Sequence, residues 1–209
     1  MTANPERRSA TLAIDDGPEA VLTANPERWS VDFLEYLRFE REAAERHELV
    51  DGEIVAMAGA TRRHNVLCGR IHDALRPPLG DGPCILERSD QRLAVDAANK
   101  GWVAYYPDLA VYCSDAVHPL DADSRIDPTL LVEVTSKSTE KKDRGVKLED
   151  YRLIPSLREY LIVSHERQEI EVWARTDRGW TRKLVTSGAL ELTSGATIDV
   201  DRLYAELPT

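Results

Sequence analysis

Near residue 84 the hydrophobic pattern of the chain changes from helical spacing to short, dense apolar runs. Four of these runs cover residues 84–87, 91–95, 104–112 and 129–135. They are rich in β-branched and aromatic residues and are separated by turn-forming residues, which is the pattern of β-strands. The sequence therefore predicts a central sheet in the middle of the chain.

Three helices are predicted around this sheet. The first starts at the capping residue Ser30 and runs to about Glu45, with an apolar stripe at residues 33, 34 and 37. The second starts near Arg63 and stops at the Pro77-Pro78 pair, because proline cannot continue a helix. The third covers about residues 139–153.

A β-hairpin is predicted between the first two helices, since Asp51-Gly52 separates two short apolar runs within residues 48–57. Further strands are predicted at residues 159–163, 169–174 and 180–185, with a turn at 177–179. Strands interrupted by helices indicate an α/β or α+β fold: a mixed central sheet flanked by helices, with an N-terminal helix and hairpin.

Length and composition predict one soluble domain. The chain has 209 residues, 42% of them hydrophobic and 31% charged, and a chain of this size can fold without disulfides or a structural metal. No apolar run is long enough for a membrane span, and the N-terminus lacks the core of a signal peptide, so a cytoplasmic protein is expected.

The first residues form a separate region. Residues 2–9 recur almost unchanged as residues 23–30, and this polar stretch holds three prolines and no sustained apolar period. We predict a mobile extension over residues 1–28 and a single domain over residues 29–209.

Three cysteines, Cys68, Cys84 and Cys113, are an odd number without CxxC spacing. This pattern supports neither a disulfide framework nor a cysteine-based zinc site. All three are predicted to be small, buried or half-buried residues.

The formal net charge of −10 argues against a protein that coats nucleic acid nonspecifically. The exception is the segment 137–158, which contains seven basic and four acidic residues. This local basic region is where a nucleic acid would be expected to bind.

Two predicted strands each carry a carboxylate that is a candidate metal ligand. Asp108 leads into the apolar run after Pro107, and Glu133 lies within the run at 129–135. Carboxylates on adjacent strands suit Mg²⁺ or Mn²⁺, and such an ion activates water and neutralises charge on a phosphoryl group. The alternative is structural: Asp108 ends a turn and Glu133 pairs with a buried arginine.

The order of several short motifs resembles the Uma2 family of endonucleases, a branch of the PD-(D/E)XK nuclease superfamily. The matching segments are residues 107–108, 133–139, 143–151 and 158–163, with residues 47–57 and His64 upstream. The similarity spans about residues 30–174, and it implies a restriction-endonuclease-like fold.

The resemblance also implies roles for individual residues. Asp108 and Glu133 would hold the metal ion, and the carbonyl group of Val134 would complete its shell. The superfamily lysine is expected two residues after the glutamate, where this chain has Thr135. In the Uma2 branch it maps onto Lys147, and Lys137 is the alternative.

Helical spacing places Asp143, Lys147 and Tyr151 on one side of the predicted third helix. Lys147 is therefore expected to face the sheet, where it would orient water or stabilise the transition state. The alternative is a solvated lysine on the helix surface. Asp143 would anchor this lysine or form an ordinary helical ion pair, and Tyr151 is expected in the core or beside the site.

Two further residues have open assignments. Glu48 is a third candidate carboxylate, as the resemblance implies, or a half-exposed strand residue. His64 is a candidate proton donor or base near the metal ligands, or a helix cap.

The sequence thus predicts a Mg²⁺- or Mn²⁺-dependent endonuclease that hydrolyses DNA, with RNA or a nucleotide as an alternative substrate. A different class remains open: a binding or assembly protein that retains the fold without catalysis. The resemblance also allows a homodimer, and no membrane partner is expected.

Overall fold

The computed structural model describes residues 31–57 and 59–208. Its helices are α1 (Phe33–Glu42), α2 (Arg62–Leu79), α3 (Glu140–Asp143), α4 (Val146–Tyr151) and α5 (Val200–Tyr204), with a 3₁₀ turn at Ala98–Lys100. Strands β1 to β7 are His47–Val50, Glu53–Ala56, Ile85–Arg88, Arg92–Asp96, Trp102–Tyr105, Leu109–Tyr112 and Val117–His118. Strands β8 to β14 are Asp121–Arg125, Pro128–Thr135, Glu159–Ser164, Ile170–Thr176, Gly179–Val185, Ala189–Glu191 and Thr197–Asp199.

These strands form two six-stranded sheets and a separate β13–β14 pair. The main sheet has the order β12-β11-β10-β9-β6-β3, and the hairpin sheet has the order β2-β1-β5-β4-β8-β7. Strands β9 and β10 are parallel, whereas β6 and β9 are antiparallel. The sheets are therefore mixed and flanked by helices, which confirms the predicted α+β class.

The main sheet is covered on both faces. On one face α2 packs through Leu67, Ile71 and Leu75, one residue per helical turn. On the other face lie α4 and the inner side of the hairpin sheet. Because side chains alternate along a strand, Glu133 shares the second face with Leu131 and lies between the two sheets.

The predicted strand over residues 104–112 is wrong, because it is two strands in two different sheets. Strand β5 belongs to the hairpin sheet and β6 to the main sheet. The chain crosses between them at Tyr106, Pro107 and Asp108. Proline has no N–H to continue a ladder, so strand pairing ends there. The crossing leaves Asp108 at the start of β6.

The predicted third helix is also wrong as a single element, because it breaks into α3 and α4 at Gly145. A Cβ atom at position 145 would lie 2.7 Å from the carbonyl oxygen of Lys141. Only glycine fits this close approach.

Two helix ends differ from the prediction. Helix α1 is capped by Asp32, whose side chain accepts from the Glu35 N–H, and it ends at Glu42; Ser30 lies outside the described residues. Helix α2 contains Pro77 and Pro78 in its last turn and ends at Leu79. The helix thus continues one residue past the prolines. It tolerates them because they remove only backbone N–H donors of its final turn. The hairpin and the strands at 159–163, 169–174 and 180–185 are confirmed.

The cysteines correct a further prediction. Cys84 and Cys113 form a disulfide across strands β3 and β6, where Ile85 pairs with Tyr112. They are 29 residues apart in sequence, and only the antiparallel pairing brings them together. Cys68 is free and half-buried.

The predicted extension over residues 1–28 and the near-repeat lie outside the described residues. Within the part of the chain that is described, no helix is both long and apolar enough to cross a membrane.

Candidate active site

A cavity of about 790 Å³ opens where β9 ends and β6 begins. Its walls come from β1, β2, the start of α2, α3 and α4, and most of the residues that line it are of polar type. Predicted site residues that line it are Glu48, His64, Asp108, Glu133, Val134, Asp143 and Lys147. The fold therefore brings residues from β1, α2, the start of β6, β9, α3 and α4 into one cavity.

Asp108 lies opposite Glu133, one position beyond the antiparallel pair Leu109–Val132. Its Oδ2 atom accepts a hydrogen bond from the Val134 N–H at 2.7 Å and lies 3.1 Å from Nε2 of His64. The N–H and C=O of one strand residue point to the same side, so the Val134 carbonyl also faces this end of β6. Asp108, Glu133 and the Val134 carbonyl thus lie together where β9 ends and β6 begins.

Glu133 is buried, and its Oε1 atom accepts hydrogen bonds from Nζ of Lys147 and from the Tyr151 hydroxyl, both at 2.8 Å. Burial raises the pKa of this carboxyl to about 8; Lys147 opposes the shift, while Asp143, Asp108 and Glu48 add to it. A strand glutamate in such surroundings costs stability when ionised.

Lys147 is equally buried and lies among carboxylates. Besides Glu133, its Nζ is 2.9 Å from Glu48 Oε1 and 3.8 Å from Asp143 Oδ1. Burial alone would lower the pKa of Lys147, but attraction to Glu133, Glu48 and Asp143 outweighs it and raises the pKa. The lysine is therefore charged, and it faces the main sheet as predicted.

Glu48 joins the cluster from β1. Its Oε2 atom forms an ion pair with Lys142, and its Oε1 atom accepts from the Tyr106 N–H at 3.3 Å. Burial would raise the pKa of Glu48, but Lys147 and Lys142 hold it below its usual value. Glu48 is thus a buried member of the cluster rather than a half-exposed strand residue.

Asp143 ends α3 beside Lys147. Burial raises its pKa, although Lys147, Thr135 and Thr139 act in the opposite direction. The cluster therefore contains four carboxylates, Glu48, Asp108, Glu133 and Asp143, and two lysines, Lys142 and Lys147. An excess of negative charge in a partly buried cavity attracts a cation.

His64 and Cys68 bound the cavity on the α2 side. Desolvation lowers the pKa of His64, but its contact with Asp108 raises it above the usual value. The backbone N–H of His64 donates to the Thr61 side chain, which caps α2. Thr61 is therefore the cap, and the imidazole of His64 is left to face Asp108. Burial, with Asp108 and Glu133 nearby, raises the pKa of the Cys68 thiol.

Lys137 does not join this cluster, which corrects its assignment as the alternative lysine. Its side chain is 84% exposed and lies 3.9 Å from Glu166. It follows the end of β9, and no element among the described residues covers it. Thr135, at the superfamily lysine position, instead contacts the Thr139 hydroxyl at 3.1 Å.

Lys142, Cys68 and His165 are among the residues at the cavity that sequence reasoning missed. Cys68 had a detectable signal, because it follows His64 by four positions and therefore shares its helix face. Lys142 was one of several lysines in the basic segment. His165 follows β10, and only the parallel β9–β10 pairing brings it to the cavity.

Comparison with known proteins places these features in a family. The chain is 35% identical to the uncharacterized protein slr1290 of Synechocystis sp. over 179 residues, which cover 83% of this chain and 90% of that protein. It is 32% identical to the uncharacterized protein sll1609 of the same organism over 153 residues, covering 70% and 82%.

A solved structure shares the fold. It is the crystal structure described as "a putative nuclease belonging to DUF820" from Anabaena variabilis, with a TM-score of 0.65 and 14% identity over 83% of this chain and 97% of that one. The family model of Uma2, described as "Putative restriction endonuclease", matches residues 33–203, which include β1, α2 and every side chain of the cluster. The chain belongs to the Uma2 family.

Proposed function

We propose that the protein is a divalent-metal-dependent nuclease that hydrolyses phosphodiester bonds in DNA, using the cavity around Asp108 and Glu133. One observation carries the proposal: the two carboxylates lie at neighbouring strand ends, and the buried ammonium group of Lys147 is 2.8 Å from Glu133. Family membership supports nuclease chemistry in general.

The residues present fit a divalent cation. Oxygen atoms of Asp108 and Glu133, with the Val134 carbonyl, are the ligand type that Mg²⁺ and Mn²⁺ prefer. The four carboxylates exceed the two lysines, so a cation reduces the repulsion within the cluster. When bound, such an ion lowers the pKa of a water molecule and neutralises charge on a phosphoryl oxygen.

The protein side chains have separate tasks. Lys147 is fixed by Glu133, Glu48 and Asp143, so its Nζ is positioned without reorganisation to orient water or stabilise charge in the transition state. The Tyr151 hydroxyl donates to the same Glu133 oxygen as Lys147 and helps to fix the carboxyl group. His64, beside Asp108, is placed to hold or release a proton.

The cavity mouth favours an anionic substrate. Arg46, Arg88 and Lys142 line the cavity, and the Arg46 side chain is half exposed. Lys142 also belongs to the predicted basic region. Cationic side chains at a mouth with acidic groups behind it match a phosphate backbone passing over a metal site. Double-stranded DNA is the proposed substrate, and the protein is proposed to act as a homodimer.

A second candidate function is a non-catalytic binding protein that keeps the fold. Thr135 favours it, because the usual lysine position holds a hydroxyl that is engaged with Thr139. In this case Lys147 would serve only to neutralise Glu48, Glu133 and Asp143.

The experiment is a single-turnover cleavage assay on supercoiled plasmid, single-stranded DNA and RNA, each with EDTA, Mg²⁺ or Mn²⁺. The nuclease proposal expects metal-dependent cleavage of plasmid that Asp108→Ala and Glu133→Ala abolish. Asp96→Ala is the matched control, because Asp96 is an exposed carboxylate at the end of β4 outside the cavity. Cleavage by the two site variants at the wild-type rate contradicts the proposal; binding without cleavage supports the second candidate.

A further inference from the structure

Helix α2 carries a second set of metal-ligand side chains beside the proposed nuclease centre. His64 and Cys68 are four residues apart, so they lie on one helix face. Sγ of Cys68 is 3.6 Å from Nδ1 of His64, and Nε2 of His64 is 3.1 Å from Asp108 Oδ2. One ligand atom from each of the three residues lies within 4.8 Å of the others.

The chemistry of this set differs from that of the carboxylate cluster. A nitrogen, a sulfur and an oxygen donor are the ligands of Zn²⁺, which takes three protein ligands and leaves a fourth position open for water. Mg²⁺ prefers oxygen ligands in a larger shell. Two helical ligands four residues apart recur in helix-borne zinc sites, because both point to the same place.

We propose that His64, Cys68 and Asp108 form a binding site for Zn²⁺, or for a transition metal ion of similar preference. All three side chains are half-buried and line the open cavity, so an ion can reach them from solvent. The site needs neither a second cysteine nor CxxC spacing, and it does not depend on the chain being a nuclease.

The site has a consequence for regulation, which rests on the proposed function. Asp108 belongs both to this set and to the proposed Mg²⁺ or Mn²⁺ ligands. An ion held by His64 and Cys68 takes up the Asp108 carboxylate, so the two metals compete for it. Zn²⁺ therefore inhibits the nuclease, and excess Mn²⁺ weakens Zn²⁺ binding.

The test uses Co²⁺ as a spectroscopic probe, titrated into the full-length protein without any nucleic acid. A thiolate bound to Co²⁺ gives a charge-transfer band in the near ultraviolet, and Zn²⁺ should displace it stoichiometrically. Because Cys84 and Cys113 are paired, Cys68 supplies the thiolate. The double variant Cys84→Ser/Cys113→Ser should keep the band.

Cys68→Ser should abolish the band and weaken Zn²⁺ binding by more than about 100-fold, since even an indirect partner of a ligand contributes 10- to 100-fold. His64→Ala should act in the same way. His72→Ala is the matched control, because His72 lies further along α2 against Asp73 and outside the cavity. This variant should bind Co²⁺ as wild type does.

Three results would overturn the proposal: no saturable band in wild type, a band that persists in Cys68→Ser, or loss of the band in His72→Ala with its fold intact by circular dichroism. If the Asp108→Asn variant binds Co²⁺ with wild-type affinity, Asp108 is not a ligand of this site and the two metals do not compete for it. The plasmid assay with Mg²⁺ is separate, so an inactive protein that shows the band contradicts only the proposed nuclease.

Discussion

Two of the clusters of buried charge among the described residues differ in their charge balance. In the hairpin sheet, Arg92 donates to Asp121 at 2.7 Å, to Ser124 at 2.7 Å and to Tyr106 at 3.1 Å. Arg41 adds a second contact to Asp121 at 3.2 Å. In the cavity, by contrast, Lys147 is shared among Glu48, Glu133 and Asp143.

The pKa shifts of the carboxyl groups follow this difference. Burial would raise the pKa of Asp121, but Ser124 and Arg92 outweigh it and lower the pKa. Burial raises the pKa of Glu133 to about 8, because one lysine cannot compensate for several carboxylates. The Asp121 cluster therefore stabilises the fold, whereas the Glu133 cluster stores repulsion that a cation or a proton relieves.

The largest effect is expected from breaking the balanced cluster. Asp121→Asn leaves Arg92 buried with its charge uncompensated, which costs about 3–5 kcal/mol. Urea unfolding should show this loss as a lower midpoint, while the slope of the unfolding free energy against urea concentration stays unchanged. Asp123→Asn, at an exposed position of the same strand, is the control. A loss below about 1 kcal/mol for Asp121→Asn would show that the cluster contributes little.

In the unbalanced cluster the same type of substitution should affect activity and spare stability. Glu133→Gln imitates the protonated carboxyl, so the free energy of unfolding at pH 7 should stay equal or rise. Cleavage should fall roughly 1000-fold, about 4 kcal/mol, because a metal ligand is lost. Urea unfolding tests the predicted stability and single-turnover cleavage tests the predicted loss of activity, both on one preparation.

The pH dependence of unfolding in EDTA sharpens this prediction. The pKa of Glu133 is about 8 in the folded state and roughly 4.3 in an unfolded chain, so folding takes up a proton between these values. The contribution of Glu133 to stability therefore decreases as pH rises from about 5 to 8. Glu133→Gln should lack this decrease; an identical slope in both proteins contradicts the raised pKa.

Lys147→Met should slow cleavage roughly 100-fold, by analogy with the loss of one preorganised donor. The loss should appear at saturating substrate, because an interaction made only in the transition state lowers kcat. Lys137→Met is the matched control and should cleave as wild type does, since its side chain is exposed. A greater loss in the Lys137 variant would reverse the assignment.

The smallest effect is expected at a balanced carboxylate outside both clusters. Burial would raise the pKa of Glu171, but hydrogen bonds from Arg182, Arg144 and Trp173 lower it to about 2. The contribution of Glu171 to stability is fully present above the pKa of a glutamate in the unfolded chain, roughly 4.3. It is lost as the pH falls towards 2.

Glu171→Gln should cost roughly 1.5–3 kcal/mol at neutral pH, in the range of hydrogen bonds to a charged group. The variant and wild type should converge in stability below pH 3, which thermal unfolding against pH measures. Glu166→Gln is the control, because Glu166 is a partly exposed carboxylate in the turn after β10. A difference that stays constant down to pH 2 would contradict the lowered pKa.

Local patterns of the sequence determined the elements whose causes are themselves local. The Asp51-Gly52 turn specifies the hairpin, because both residues adopt positive φ there. The spacing of Leu67, Ile71 and Leu75 specifies the buried face of α2. Asp108 and Glu133 stood out in the same way, since a carboxylate within an apolar strand is costly and therefore needs a reason.

Only the tertiary structure decided which distant groups meet. The crossing at Pro107 splits one apolar run between two sheets, and the break at Gly145 turns Lys147 towards Glu133, 14 residues away. The Cys84–Cys113 disulfide and the exposure of Lys137 also depend on strand pairing. Burial and charge balance are sums over neighbours from many segments, so the pKa of Glu133 and the His64–Cys68–Asp108 set become visible only when the chain is folded.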